Sequence, residues 1–244
     1  MKVLGYSERG VVNSLFYDIA FSLQPDRLLG DLLATAHFPF QSDLRFEVRD
    51  AKVLLEQSLS DFGDADAILL LRPADTSVAV FTEAKVKPFQ VSEWQIQQEY
   101  QDFIAGTRTK GSSSNLFTQL YHKVCLADVL KRGALDGLAN GVEFPASSSK
   151  ATRKIGRNGV VLKAVEELRR YLDQVYFLAL VPDDVARVSE FFERVLTHGG
   201  PPGYRRWGTS GYGHLSWHEV EDFCKRHDLK QTLAVLEFNE GQIY

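Results

Sequence analysis

Two acidic residues and a lysine stand out because their spacing along two neighbouring predicted strands would bring them together. Asp66 opens a strongly apolar segment, and Glu83 and Lys85 lie two residues apart near the end of the next one, residues 78–86. Alternate residues of a strand share a face, so Glu83 and Lys85 point the same way. Residues 73–76, Pro-Ala-Asp-Thr, are typical of a hairpin loop between the two strands.

An antiparallel hairpin with this loop fixes the partner of each residue. With four loop residues, the numbers of paired residues sum to 149, so Asp66 lies opposite Glu83 and Asp64 lies opposite Lys85. Directly opposed side chains share a face, with Cβ atoms about 4.5–5.5 Å apart. Two carboxylates and an ammonium would converge at one end of the strands, and a shift of one residue would separate them.

Two carboxylates at that separation repel each other unless a cation lies between them. Mg²⁺ or Mn²⁺ fits, because a hard cation prefers oxygen ligands and keeps several of its waters. A lysine beside such a cation can orient the attacking water and stabilise charge that develops on a phosphate. These components suit hydrolysis of a phosphodiester. The alternative is that Glu83 and Lys85 form a solvated strand face and that Asp66 merely begins a strand, since the pattern is loose.

The elements around these residues indicate a mixed α/β domain. Helical spacing predicts a first helix over residues 8–23 with Ser7 as its N-cap, and later helices over residues 93–104, 115–130 and 161–172. A further helix is predicted to open at Pro182 and to reach about residue 196, and the capping box Ser216-Trp217-His218-Glu219 predicts the start of a helix over residues 216–227. Strands are predicted over residues 53–59, 67–72, 78–86 and 175–181. The order of these elements predicts a central mixed sheet flanked by helices, followed by a helical C-terminal extension.

This arrangement resembles the PD-(D/E)XK superfamily, the restriction-endonuclease-like nucleases, in which a helix precedes a β-meander bearing Asp and Glu-x-Lys. The resemblance covers roughly residues 5–105, with residues 175–181 as a further core strand. It implies a nuclease-like core over residues 1–182 and an accessory region over residues 183–244 that packs on the core. Ala65 stands where the family has a proline before the metal-binding Asp, which leaves Asp64 as a rival to Asp66.

The resemblance also implies roles for individual residues. Asp66 and Glu83 would bind the metal, the carbonyl of Ala84 would supply a third ligand, and Lys85 would be the catalytic lysine. Glu8 resembles a glutamate that many members place on the first helix near the site, where it binds the metal directly or through water. An acid in the first turn of a helix is equally explained by the helix dipole.

The distribution of charge predicts where a nucleic acid would bind. The chain carries a net charge of −4, yet residues 103–127, which include Lys123, and residues 144–165 contain no acid and carry +3 and +5. Residues 197–218 carry a further +2. Solvated basic loops are the alternative. We expect phosphate contacts from Lys110, Lys150, Arg153, Lys154, Arg157, Arg205 and Arg206.

Together these features predict a Mg²⁺- or Mn²⁺-dependent nuclease, an endonuclease that acts on DNA. The resemblance implies a role in restriction, repair or defence, as a homodimer or within a larger complex. The residues leave the choice between DNA and RNA open. The alternatives are an inactive module of the same fold that binds nucleic acid or a protein partner, and an unrelated α+β protein.

The location of the protein is predicted from what the sequence lacks. Its longest apolar run, residues 175–181, is too short to cross a membrane. The start of the chain has no signal-peptide pattern, and its two cysteines, Cys125 and Cys224, lie far apart. A reducing, cytoplasmic setting is therefore expected.

Overall fold

The computed structural model describes residues 2–39, 41, 45–87, 94–104, 115–133, 135–143, 152–182, 188–190 and 211–243. Its helices are α1 (Ser7–Ala20), α2 (Pro25–Thr35), α3 (Ile96–Ile104), α4 (Leu116–Lys131), α5 (Leu135–Asn140), α6 (Gly159–Leu168), α7 (Trp217–Arg226), α8 (Lys230–Phe238) and α9 (Glu240–Ile243). Its strands are β1 (Asp50–Ser58), β2 (Asp64–Arg72), β3 (Val78–Ala84), β4 (Val142–Glu143), β5 (Thr152–Arg153), β6 (Gln174–Val181) and β7 (Tyr212–Ser216). Short 3₁₀ turns lie at Ser60–Phe62 and Arg169–Tyr171.

Five of these strands form a mixed sheet in the order β1-β2-β3-β6-β7. The first three make an antiparallel meander, and β6 then runs parallel to β3 and β7 parallel to β6. A parallel neighbour requires a long crossover, and the chain between β3 and β6, with α3, α4 and α6, supplies it. The predicted class, a central mixed sheet flanked by helices, is confirmed, while its restriction-endonuclease-like character stays a prediction.

The register of β2 against β3 is the one that the sequence predicts. Ala67 pairs with Thr82 and Leu71 pairs with Val78, so the numbers of paired residues sum to 149. The ladder stops one residue short of Asp66. There the Asp66 carboxylate replaces the next ladder bond, because its Oδ2 accepts a hydrogen bond from the backbone N–H of Ala84 at 2.8 Å.

Helices cover both faces of the sheet. One face packs against α1, α2, α7 and α8, and the other packs against α3, α4 and α6. Strands that are buried on both faces consist of continuous apolar runs, and the central parts of β2 and β3 follow this rule. Glu83, with 0% of its surface exposed, is the charged exception on β3.

The first helix differs in detail from its prediction. It begins at Ser7 and ends at Ala20, and its N-cap residue is Tyr6 rather than Ser7. The Ser7 hydroxyl does not cap the helix because it hydrogen-bonds the carboxylate of Glu8. By contrast, α7 begins at the predicted capping box, in which Ser216 and Glu219 bond each other's backbone.

The C-terminal region contributes a strand that the sequence pattern does not predict. β7 lies at the edge of the central sheet, and a bridge links its His214 to His37. The predicted division after residue 182 therefore separates two parts of one sheet. Most of the helix predicted after Pro182 lies outside the described residues. None of the helices within the described ranges is long and apolar enough to cross a membrane.

Candidate active site

Asp66, Glu83 and Lys85 are neighbours at one end of the sheet, where β2 begins and β3 ends. Asp66 is half-buried, Glu83 is buried and Lys85 is half-buried. The charge of Asp66 interacts with those of Glu83 and Lys85, and Glu83 also interacts with Lys85. The predicted register thus brings the three predicted side chains together.

The carboxylate of Glu83 faces a second lysine, Lys123 on α4. Lys123 Nζ lies 3.0 Å from Glu83 Oε1, and both side chains are fully buried. Nζ also donates hydrogen bonds to the carbonyl oxygens of Phe62, at 3.1 Å, and Asp64, at 2.9 Å. These three oxygen partners match the three protons of an ammonium group. Lys123 therefore belongs to the interior of the site and not to a basic surface.

Burial raises the pKa of both carboxyl groups. It raises the pKa of Glu83 to about 7, although the positive charge of Lys123 acts in the opposite direction. It also raises the pKa of Asp66, against the Ala84 N–H bond and the charge of Lys85. The charge of Asp66 raises the pKa of Glu83 further, and the charge of Glu8 does the same for Asp66, since like charges disfavour ionisation. A cation beside them would favour the ionised form of both.

The donor set fits a hard divalent cation. Apart from the Lys123 contact, neither buried oxygen of Glu83 has a hydrogen-bond partner among the described residues. Buried carboxylate oxygens are the ligands that Mg²⁺ and Mn²⁺ prefer. The described chain contains no group of three or more His, Cys, Asp or Glu side chains that could hold a metal ion. A cation here would therefore use Asp66 and Glu83, the predicted carbonyl of Ala84, and water.

The backbone and side chain of Lys85 are held from three directions. Its N–H donates to the carbonyl of Leu180 on β6 at 2.8 Å. Its carbonyl accepts a hydrogen bond from the indole nitrogen of Trp217, on α7, at 2.7 Å. Its ammonium group donates to the side-chain oxygen of Gln119 on α4. Lys85 is therefore fixed just beyond the last residue of β3.

The surroundings of Asp64 and Glu8 show how each of these predicted acids is placed relative to Asp66. Asp64 has an exposed side chain, and the carbonyl of Asp64 is what contacts Lys123. Glu8 lies in the first turn of α1, and its charge raises the pKa of Asp66. Of the two rivals, Asp66 is thus the one whose carboxylate interacts with Glu83, and Glu8 lies within electrostatic reach of that pair.

A further acid, Glu99 on α3, belongs to this neighbourhood and is not predicted from the sequence. Its Oε2 accepts a hydrogen bond from the backbone N–H of Leu116 at 2.8 Å, at the first turn of α4. Burial raises the pKa of Glu99, while the charge of Lys85 lowers it. A glutamate within a polar helical segment gives no local sign of burial, so only tertiary packing identifies it.

Unusual backbone conformations surround the same end of the sheet. Of the four non-glycine residues with positive φ in the described chain, three are Ser7, Glu56 and Ser60, with φ of 63°, 47° and 55°. Ser7 precedes Glu8, and Ser60 lies in the 3₁₀ turn before β2. Glu56 stands opposite Asp66 in the β1–β2 register, at a position missing from the ladder. Such conformations concentrate at functional sites in proteins.

The predicted nucleic-acid contacts fall into three groups. Lys154 and Arg157 are exposed, on a segment docked to the 3₁₀ turn before β2 by the bond from Gly156 N–H to Ser60 Oγ at 2.8 Å. Arg153 requires a correction, because it is only 6% exposed and its guanidinium donates to the carbonyl of Asp61. It anchors the segment and does not face a ligand. The others lie outside the described residues: Lys110, Lys150, Arg205 and Arg206.

An open cleft of about 790 Å³ lies at the opposite end of the β2–β3 hairpin. It contains none of the predicted site residues. The guanidinium of Arg72 in this cleft stacks on the ring of Tyr171 at 4.7 Å. Its charged lining residues are Arg49, Asp50, Arg72, Asp75, Lys131, Arg169, Arg170 and Asp173.

The chain was compared with known proteins in three ways. Comparison of the chain with protein-family models, with curated proteins and with solved structures finds no match.

Proposed function

We propose that the protein is a nuclease that hydrolyses phosphodiester bonds with Mg²⁺ or Mn²⁺ as its cofactor. One observation carries the proposal. The carboxylates of Asp66 and Glu83 and the ammonium of Lys85 interact with one another at the end of β2 and β3. Two neighbouring carboxylates whose pKa values are raised by burial, with a lysine beside them, favour a site for a divalent cation and a phosphate.

The side chains divide the work according to their positions. Asp66 and Glu83 would hold the cation, together with the carbonyl of Ala84. When bound, the cation supplies Lewis acidity and a place for the attacking water. Lys85 brings a positive charge to the scissile phosphate and stabilises the negative charge of the transition state. Glu8, through its proximity to Asp66, would hold ordered water at the same cation.

Exposed cations next to the site support a polyanionic substrate. Lys154 and Arg157 are exposed on the segment that is docked to the turn leading into β2. Contacts of this kind bind phosphates without regard to sequence, and they weaken as salt concentration rises. We therefore propose a nucleic acid as the substrate, with Lys154 and Arg157 on the backbone beside the scissile bond, and DNA as the form that the resemblance to restriction-endonuclease-like nucleases favours.

Cleavage assays test this function. Plasmid DNA, single-stranded DNA and RNA are each incubated with the parent protein in MgCl₂, in MnCl₂ and in EDTA. We expect metal-dependent cleavage of DNA, and a rate at least about 100-fold lower for Lys85→Ala. Lys52→Ala, which changes an exposed lysine on β1, is the matched control and should cleave like the parent. Equal rates for Lys85→Ala and the parent would overturn the proposal, as would an absence of cleavage of all three substrates.

A second candidate, an inactive nucleic-acid-binding module, is favoured by one contact. Lys123 already neutralises Glu83, so Asp66, Glu83, Lys85 and Lys123 balance their formal charges without a metal ion. The same assays separate the candidates. Retention of DNA by the protein in EDTA, with no cleavage in either metal, would support the module and contradict the nuclease.

A further inference from the structure

We propose that Gln119 and Lys123, one helical turn apart on α4, are positioning residues for the proposed catalytic pair, with Gln119 holding Lys85 and Lys123 holding Glu83. This inference rests on the proposed function, because it concerns the residues that would perform it. It extends that function to an element, α4, to which neither the motif nor the resemblance assigns a role.

The spacing of Gln119 and Lys123 along α4 matches the spacing of Glu83 and Lys85 at the end of β3. Gln119 and Lys123 are separated by four helical residues, an advance of about 6.0 Å along the helix axis. Glu83 and Lys85 are separated by two strand residues, an advance of about 6.6 Å. Lys85 contacts Gln119 and Glu83 contacts Lys123, so α4 and this part of the chain run in opposite directions. One face of the helix thus holds both members of the pair.

A turn at Gly63 positions two of the carbonyl oxygens that bind the Lys123 ammonium group. The carbonyl oxygens of Phe62 and Asp64 both accept hydrogen bonds from Lys123 Nζ, and Gly63 lies between them. Gly63 has φ 80° and ψ 169°, a conformation that is essentially restricted to glycine. A Cβ at this position would lie 3.3 Å from Lys123 Nζ. The turn that leads into β2 is therefore shaped around the ammonium group.

The contacts of Lys123 favour a role in position rather than in stability alone. A buried ion pair seldom stabilises a fold more than apolar side chains of the same volume do. Lys123 nevertheless lies among the apolar residues that α4 packs on the sheet, with Glu83 as its carboxylate partner. The pair fixes the direction of a carboxylate that has no other hydrogen-bond partner among the described residues.

The Gln119 half of the inference is tested with Gln119→Leu, which removes the acceptor of the Lys85 ammonium. The matched control is Gln174→Leu, at the other end of the sheet, where a glutamine oxygen accepts from Tyr176 at 3.1 Å. We expect Gln119→Leu to lower kcat by about 10- to 100-fold with KM changed less than about threefold. Independently of activity, amine acetylation followed by mass spectrometry should label Lys85 several-fold faster in this variant, relative to Lys2.

The Lys123 half is tested by Mn²⁺ binding, measured by calorimetry. Lys123→Met should weaken Mn²⁺ binding by about tenfold or more in the parent background. In the Glu83→Gln background it should have no further effect, because Lys123 acts through Glu83. If Lys123→Met alone does not fold, Glu83→Gln/Lys123→Met should fold, since it leaves no unpaired buried charge. Loss of folding in both variants contradicts the inference, as does equal weakening of Mn²⁺ binding in both backgrounds.

The readouts separate this inference from the function on which it rests. If Gln119→Leu cleaves DNA and labels like the parent, the positioning role of Gln119 is wrong and the nuclease stands. If the parent cleaves nothing while the labelling and Mn²⁺ results hold, the nuclease is wrong and the positioning of Lys85 and Glu83 stands.

Discussion

Two lysine–glutamate pairs, each joining a strand of the sheet to a helix, have the same chemistry and opposite surroundings. Lys123 and Glu83 lie 3.0 Å apart with both side chains 0% exposed, whereas Lys52 and Glu167 lie 2.5 Å apart with side chains 52% and 24% exposed. In the exposed pair, the contact raises the pKa of Lys52 and lowers that of Glu167. In the buried pair, loss of water raises the pKa of Glu83 despite its lysine. Burial therefore outweighs the ion pair at the candidate site.

The comparison indicates why we propose the buried end of the sheet as the functional one. Charges that are exposed cost little and stabilise little. Burial of a charge costs free energy, and a buried ionisable group with a shifted pKa is a candidate for a functional site. The buried pair lies beside Asp66 and Lys85, while the exposed pair lies on the solvent side of β1 and α6.

The largest expected effect comes from breaking the buried pair. Lys123→Met leaves Glu83 as an uncompensated buried charge and should lower the free energy of unfolding by about 3–5 kcal/mol. Urea denaturation at pH 8 measures the loss. Lys52→Met, the same substitution in the exposed pair, should move the midpoint far less. Equal shifts of the midpoint would show that burial does not distinguish the two pairs.

A smaller effect on stability is expected from a change in the turn at Gly63, which binds Lys123. Gly63→Ala forces a Cβ into a glycine-only conformation beside the ammonium group and should cost about 1–3 kcal/mol. Gly133→Ala is the control, because Gly133 also has positive φ, 73°, but has nothing within 4 Å of an added Cβ. Thermal denaturation should rank Gly63→Ala as clearly the less stable variant. The reverse order would argue against a turn shaped around Lys123.

The raised pKa of Glu83 predicts a pH dependence of stability in the metal-free protein. The folded-state pKa of about 7 exceeds the ordinary value of 4.5, so the folded state binds this proton more tightly than the unfolded state. The resulting stability is fully present below pH 4.5 and is lost as pH rises to about 7, at up to about 1.4 kcal/mol per pH unit. Urea denaturation in EDTA should show this loss in the parent and not in Glu83→Gln. Parallel profiles for the two proteins would contradict it.

The smallest effect on stability is expected from a change at Ser77, which lines the open cleft at the loop end of the β2–β3 hairpin. The hydroxyl and the backbone N–H of Ser77 both donate to Asp173, at 2.7 and 3.0 Å, and they lower the pKa of that carboxyl group. The stability that this provides is present above pH 3.8 and is lost as pH falls. Ser77→Ala should raise the pKa of Asp173, which an NMR titration measures, with little change in stability at pH 7. An unchanged pKa would contradict the assigned cause.

Local patterns predict the sheet and its acidic pair for clear physical reasons. Alternation along β3 and the length of the hairpin loop are properties of neighbouring residues, and together they fix the register that joins Ala67 to Thr82. That register brings Asp66 beside Glu83 and Lys85. The capping box of α7 is likewise a local signal, and it predicts the start of that helix.

The remainder of the site depends on contacts that are distant in sequence. In the sequence Lys123 is only one positive charge of a segment that lacks acids, and its partners lie 59 and 61 residues away, at Asp64 and Phe62. Glu99 and Gln119 carry no local sign of their contacts. Arg153 is buried by the same kind of distant contact, with Asp61. Helical packing on the sheet decides these positions.

The most direct test of the central claim, that Asp66 and Glu83 jointly hold a divalent cation beside Lys85, is anomalous diffraction from crystals of the full chain soaked in MnCl₂. We expect one anomalous peak within bonding distance of a carboxylate oxygen of Asp66 and of Glu83. That peak should disappear in Asp66→Asn crystals under the same soak. A structure at saturating Mn²⁺ with no peak between these two carboxylates would contradict the account.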